Sequence, residues 1–149
     1  MRKRQWTIAL AIVVLACAKA PEQGGEAAGS VTSYNPLVGG RWRLVELEGE
    51  PALTGGGARE PHLIFSSDTA DRVGGATGCN TMGGTYEADE TSIRFSQIFS
   101  TKMACVEEER MRQEARFLKA LETADRYAVS GDTLTLSAGA EVVAKFVKT

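Results

Sequence analysis

GGATGCNTMGGTY, residues 74–86, packs five glycines, one cysteine and one asparagine into thirteen positions and ends on a tyrosine. Glycine at this density either moulds a backbone around a phosphate or lets a β-rich chain turn and pack closely. The phosphate reading fails on spelling. Gly78 and Gly83 have the spacing of a phosphate-cradling loop, but the next position, where a lysine must reach the terminal phosphates, is Gly84. A dinucleotide fingerprint needs its glycines between a strand and a helix, and the nearest helical pattern starts roughly twenty residues later. The stretch therefore points to backbone geometry and away from nucleotide binding.

Working outward from it, the N-terminal end carries an address. Arg2, Lys3 and Arg4 precede an apolar run from Trp6 to Ala16, too short for a permanent membrane span and suited to the central region of a signal peptide over residues 1–16. The run ends in V-L-A-C, with small Ala16 before Cys17, a spelling that resembles the bacterial lipoprotein box. That resemblance implies cleavage before Cys17 and acyl chains on its sulfur and new amino group, an anchor worth about 0.8 kcal/mol per buried methylene. The alternative is an ordinary secretory signal cut at A-C-A or A-K-A, with Cys17 incidental. Loss of residues 1–16 leaves 14 basic against 19 acidic residues, a formal net charge of -5. This balance opposes binding to nucleic acid or to an anionic bilayer through charge.

With Cys17 acylated, Cys79 and Cys105 remain in an exported chain. An even pair in an oxidising compartment is most simply a disulfide, stabilising the fold by roughly 3 to 4 kcal/mol in the chain-entropy model. The spacing is not C-x-x-C, which argues against a redox-active dithiol.

From Ala18 to about Pro36 the chain is Ala, Gly, Glu, Gln and Ser with almost no large apolar residue, so residues 17–36 read as a lipidated cysteine on a flexible tether and residues 37–149 as the folded domain. Inside the domain the apolar period is mostly two. Trp42 and Leu44, Leu63 and Phe65, Ile93 and Phe95, Tyr127 and Val129, Leu134 and Leu136, then Val142, Ala144 and Phe146 all alternate with other residues. Ser130-Gly131-Asp132, Ala138-Gly139-Ala140 and Ala88-Asp89-Glu90 are turn candidates, and short turns imply antiparallel pairing. One segment departs, from about Val106 to Ala124. Met111, Ala115 and Leu118 form one row there and Phe117, Leu121 and Ala124 a second beside it, which predicts one amphipathic helix. Glu107, Glu108 and Glu109 suit its N-terminal end, and Glu108 with Arg112 and Glu122 with Arg126 are i,i+4 pairs. The expectation is a mainly β domain, a meander of about seven or eight antiparallel strands whose open side is covered by one helix.

The order of these segments resembles the META domain, the fold of the HslJ-like heat-shock lipoproteins. The residues that carry the resemblance run from Leu37 to Val147: Trp42 with Leu44, P-x-L-x-F from Pro61, G-x-x-G-C-N-x-M-x-G-x-Y from Gly75 to Tyr86, S-T-K-M-A-C from Ser100 with Thr101 and Met103 inside it, M-x-x-E-x-x-F-L-x-A-L from Met111, and G-D-x-L-x-L from Gly131. Two departures are the loop T-G-G-G-A-R-E from Thr54 to Glu60, and Met82 where a bulkier residue is expected. The resemblance implies a curved antiparallel sheet, partly closed like a barrel, with a packed helix. It also implies an envelope location and a link to heat and antibiotic stress, but no reaction. Within the glycine stretch, Gly75, Gly78 and Gly84 are expected to permit bends and close approach, Cys79 to meet Cys105, Asn80 to close its turn through its own side chain, and Tyr86 to pack inward.

No catalytic constellation is legible. His62 is the single histidine, no nucleophile has a base beside it, and metal ligands at the usual His and Asp spacing are absent. A reduced Cys79 and Cys105 with Met82 and Met103 would make a soft site suited to copper(I), which is the sharpest chemical alternative. No cofactor and no resident metal are expected. The leading expectation is a monomeric, non-enzymatic lipoprotein module, held at a membrane by its lipid, that binds a protein, peptide or apolar ligand. Trp42, Met103 and Phe117 are the candidate groove lining, and carriage of an apolar ligand is the alternative.

Overall fold

The computed structural model describes residues 34–54, 59–103 and 105–149. The expected signal segment, Cys17 and most of the tether lie outside the described residues. The strands are β1 (Arg41–Leu47), β2 (Glu50–Pro51), β3 (His62–Ser66), β4 (Arg72–Ala76), β5 (Thr81–Ala88) and β6 (Ile93–Ser100). The helix α1 (Glu108–Thr123) follows, then β7 (Arg126–Ser130), β8 (Thr133–Ala138) and β9 (Glu141–Lys148).

Eight strands lie in the order β6-β5-β4-β3-β1-β9-β8-β7, with β2 paired to β1 off this path. Every pairing between named strands is antiparallel, as the short turns predict, and a parallel bridge joins only Val38 to Phe65. Gly131 and Gly139, at φ 57° and 59°, sit in the two-residue turns of β7–β8 and β8–β9. The single meander is corrected in one respect. β3–β6 and β7–β9 are separate meanders, and β1 is inserted between them, pairing β3 on one side and β9 on the other. Turn spelling reports only neighbours in the chain, so this pairing of the domain's two ends was invisible to it.

The sheet curls until its outer strands, β6 and β7, approach at one end. Ser92 bridges Arg126, Ile93 N–H donates to the Asp125 carbonyl at 3.1 Å, and Tyr127 N–H donates to that of Thr91 at 2.9 Å. Elsewhere α1, which connects β6 to β7, packs against the open side, and the result is a half-barrel closed by a helix.

The inner face is filled. Trp42, Leu44, Leu63, Leu134, Leu136 and Phe146 are wholly buried, and Phe117 of α1 meets Phe146 with ring centres 5.8 Å apart. Phe65 and Tyr86 pack edge to face at 5.0 Å. The two helical rows take part unequally. Phe117, Leu121 and Ala124 are buried with Ala120, whereas Met111 is exposed on the row it shares with Ala115 and Leu118. A helix on a curved sheet buries one stripe fully, so the second row is left at its margin, with Leu118 half-buried against the core and Ala115 exposed like Met111. Of the two predicted charge pairs, Glu108–Arg112 forms at 2.7 Å. Glu122 instead faces Lys119 at 3.6 Å, because the helix stops at Thr123 and Arg126 begins β7.

The glycine stretch is the β4–β5 hairpin, and β4 itself was not legible because R-V-G-G-A offers no apolar alternation. Gly75 lies opposite Leu63, and a Cβ there would fall on the backbone carbonyl of His62. A Cβ on Gly84 would sit 2.6 Å from Ile98 Cδ1 and 3.0 Å from the Ser96 carbonyl oxygen. At Gly74 the nearest atom would be 3.8 Å away. Gly75→Ala is therefore expected to destabilise the fold by about 2 to 3 kcal/mol, and Gly74→Ala by no more than about 0.5 kcal/mol, in urea unfolding.

Candidate functional site

The β4–β5 turn and the segment leading into α1 are fastened together. Cys79 and Cys105 are joined by a disulfide, with Cα atoms 5.8 Å apart. Beside it the buried Asn80 uses every hydrogen-bonding site of its amide. Its oxygen accepts from Thr101 Oγ1 at 2.8 Å and from the Met103 N–H at 2.7 Å. Its nitrogen donates to Glu114 Oε1 at 2.7 Å and to the Met103 carbonyl at 3.3 Å, and its backbone N–H donates to Glu114 Oε2 at 3.3 Å.

The expected local role of Asn80 is thus corrected. The turn is closed by Thr77, whose N–H and hydroxyl both donate to the Asn80 carbonyl, which frees the side chain to reach across. Thr101 supports the same junction: its hydroxyl accepts from the Thr81 N–H and its own N–H donates to the Thr81 carbonyl. Gly78 adopts φ 125°, a conformation that favours glycine, immediately before Cys79. Tyr86 is buried as expected, and its hydroxyl accepts from Asn35 Nδ2 at 3.0 Å. Burial pushes that hydroxyl's pKa up, with Asp71 adding to the effect.

The opposite flank of α1 is held by residues that sequence reasoning passed over. Gln113 is buried and exchanges two hydrogen bonds with the Leu53 backbone, at 2.6 and 3.3 Å. Arg116 forks onto Glu48 and Glu50, each at 2.7 Å. Gln113 lies four positions before Phe117 on the core-facing stripe, where a polar residue needs a buried partner. That was the available signal.

Two surface hollows border β6 and α1. The larger, about 770 Å³, is lined by Ile93 to Ser96, the Glu87–Asp89 turn and helix-end residues from Glu122 to Asp125. The smaller, about 340 Å³, is lined by Ser100 to Met103, Asn80 and the outer helical row Met111, Glu114, Ala115 and Leu118. Phe99 stands exposed between them with its ring over Gly83. Of the expected groove trio, only Met103 borders a hollow. Trp42 and Phe117 are at 0% exposure inside the core, Trp42 donating from Nε1 to the Leu37 carbonyl at 2.7 Å. The three do not meet. The apolar lining comes instead from Met111, Ala115 and Leu118, the row that the sheet covers only at Leu118.

The chemical alternatives find little purchase. The sulfurs of Cys79 and Cys105 are spent on each other, and Met82 is buried in the core. Among the described residues no cluster of His, Cys, Asp and Glu is arranged to hold a metal ion. His62 lines neither hollow. Its Nδ1 lies 2.8 Å from the Glu60 carbonyl and 3.2 Å from Arg41 Nη2. The Glu60 carbonyl can only accept, so its hydrogen bond needs a proton on Nδ1, and in that tautomer Nδ1 does not also accept from Arg41.

The architecture defines the class first: an antiparallel half-barrel closed by a single helix. The META domain family model matches residues 35–149, and the chain belongs to that family. Among solved structures, an NMR structure of a protein from Burkholderia xenovorans is similar at 23% identity and TM-score 0.62, covering 89% of this chain and 98% of that one. A crystal structure of a DUF4847-family protein from Bacteroides vulgatus is similar at 18% identity and TM-score 0.50, covering 75% and 94%. At these identities the likeness shows the fold. No curated protein matches the chain.

Two predictions follow from this geometry. Asn80→Asp turns a donor into a second carboxylate against Glu114, so it should cost about 3 kcal/mol at neutral pH, and part of the loss should return when Glu114→Gln is added. Urea unfolding of the single and double variants measures this. For His62, burial pushes the pKa below 6.5; the hydrogen bond to the Glu60 carbonyl opposes this and Arg41 assists it. The associated stability is complete above pH 6.5 and is lost as the pH falls from there through the folded-state pKa. His62→Gln should flatten that part of the stability profile.

Proposed function

We propose that this protein is a lipid-anchored envelope protein whose META domain is a non-enzymatic binding module, serving under heat or antibiotic stress. One observation carries the binding role: the interior of the half-barrel is filled, while four of the eight exposed large apolar side chains among the described residues fall within residues 99–111. Phe99, Met103, Val106 and Met111 are 66%, 58%, 104% and 45% exposed. A concentration of exposed apolar side chains of this kind marks an interaction site. The disulfide and Asn80 hold this stretch in place, so its surface is preorganised for a partner. The lipoprotein box at Cys17 and the tether supply the anchor, and the stress role follows the family resemblance. A second reading, carriage of an apolar ligand, is favoured by the smaller hollow, whose Met103, Met111, Ala115 and Leu118 would suit an aliphatic chain.

Mass spectrometry of the membrane fraction should find diacylglycerol on Cys17, and Cys17→Ser should move the protein to the soluble fraction. A wild-type chain that is soluble and begins downstream of Cys17 would contradict the anchor. A photo-cross-linking residue at Met111 should give protein adducts in intact cells, and one at Ala128, on β7, should not. A lipid that co-purifies in stoichiometric amount and blocks the Met111 adducts would favour the carrier.

A further inference from the structure

We propose that the seam between β6 and α1 receives an extended peptide, which adds to β6 as a further strand with Lys or Arg at its Ile93 end and apolar side chains at its Ser100 end. The proposal rests on the binding-module reading and specifies its partner.

β6 is an edge strand. β5 pairs with one side; on the other, β7 touches only its beginning, through Ile93 and the preceding Ser92, and α1 packs against the strand without pairing to it. The larger hollow reaches Ile93, Arg94, Phe95 and Ser96 in unbroken succession. Successive side chains of a strand point to opposite faces, so a hollow bordering all four runs along the strand's edge. The backbone agrees. Ile93 sends its N–H outward to Asp125, and Tyr86, opposite Phe95, sends its own away from β6 to the Asp71 carbonyl. Phe95, two residues after Ile93, therefore presents its N–H and carbonyl to the seam. Such an edge is the template for β-augmentation.

Past Ser96 the ladder is interrupted. Gln97 has φ 53° and the β5–β6 register shifts between Gly83 and Thr85, which marks a bulge. A visiting strand pairs around Phe95 and then runs over the bulge into the smaller hollow, which borders Ser100 to Met103 in succession.

Charge selects the occupant. Glu87, Asp89, Glu122 and Asp125 line the larger hollow against the single cation Arg94. Asp89 is kept ionised by hydrogen bonds from Ser92 and Thr91, which lower its pKa. The smaller hollow offers Met103, Met111, Ala115 and Leu118, and flexible methionines adapt to varied apolar side chains. From Ile93 to Ser100 the paired strand β5 advances six residues, from Ala88 to Met82, so the two ends of the peptide are separated by roughly six residues.

The test uses the full-length chain and acetylated peptides about ten residues long of alternating Val and Thr, long enough to span both hollows. One set carries Lys-Lys at one end and Leu-Met at the other, in both orders, and a matched set carries Glu-Glu in place of Lys-Lys. In fluorescence anisotropy the better Lys-ended order should bind at least about tenfold more tightly than its Glu-ended match. Glu87→Lys with Glu122→Lys should reverse that preference, and Met111→Asp should weaken both sets by about tenfold. Unfolding midpoints close to wild type confirm that the exposed substitutions leave the fold intact. Hydrogen exchange should show the Phe95 amide protected only when peptide is bound.

Equal affinity for the two sets, or an unprotected Phe95 amide, would overturn the proposal. So would seam resonances that shift with dodecylphosphocholine but not with peptide, or a β6 edge protected by self-association alone. Peptides that bind elsewhere, with Phe95 unprotected, would remove this inference and leave the binding-module reading standing. Failure of the Met111 cross-linking in cells would remove the broader reading instead.

Discussion

A buried side-chain amide, that of Asn80, is the joint on which the architecture turns. It links the β4–β5 turn, the segment after β6 and the second turn of α1, and all four of its hydrogen-bonding sites are occupied. Each such bond nets about 1 kcal/mol, but an unmet one in the interior costs more. The neighbouring disulfide closes a sequence separation of 26 residues, worth about 3.5 kcal/mol in the chain-entropy model. Against a total stability of about 5 to 15 kcal/mol, the two together set where the helix begins and how it meets β6.

The other flank of the helix is tied by different means. Gln113 reads the Leu53 backbone from a buried position, and Arg116 forks onto the β1–β2 turn. Exposed ion pairs of the latter kind add little individually. Their value lies in position, since they sit one turn from Gln113 and resist sliding of the helix along the sheet. With both flanks fixed and one helical stripe buried, the remaining stripe reaches the core only through Leu118, and Met111 and Ala115 are left at the surface. The exposed seam is thus a product of how the core is packed, and function is read from what the core leaves over.

Much of this was legible, unevenly. Alternating pairs such as Leu63 with Phe65 and Leu134 with Leu136 marked their strands, and the 3.6-residue period after Val106 marked the helix, because both report burial on one side of a regular element. The glycine stretch was rightly assigned to geometry, and Gly75 and Gly84 meet backbone or side chain where a Cβ would stand. β4 was not legible, since a strand whose partners approach glycine shows no apolar alternation. Trp42 and Phe117 looked suited to a groove for the same reason that they fill the core: both are large and apolar, and sequence does not say which way such a side chain points.

Local chemistry in the sequence determined the elements, their antiparallel turns, the pair of cysteines available for a bond and the family pattern itself. Those are consequences of residues near one another in the chain. Only the tertiary structure decided that β1 lies between β3 and β9, that Asn80 serves a distant segment once Thr77 has closed its turn, and that Met111 and Ala115 of the second helical row face outward. Each of these depends on contacts between segments far apart in sequence, where curvature of the sheet and competition for a finite interior choose among side chains that are equivalent by composition.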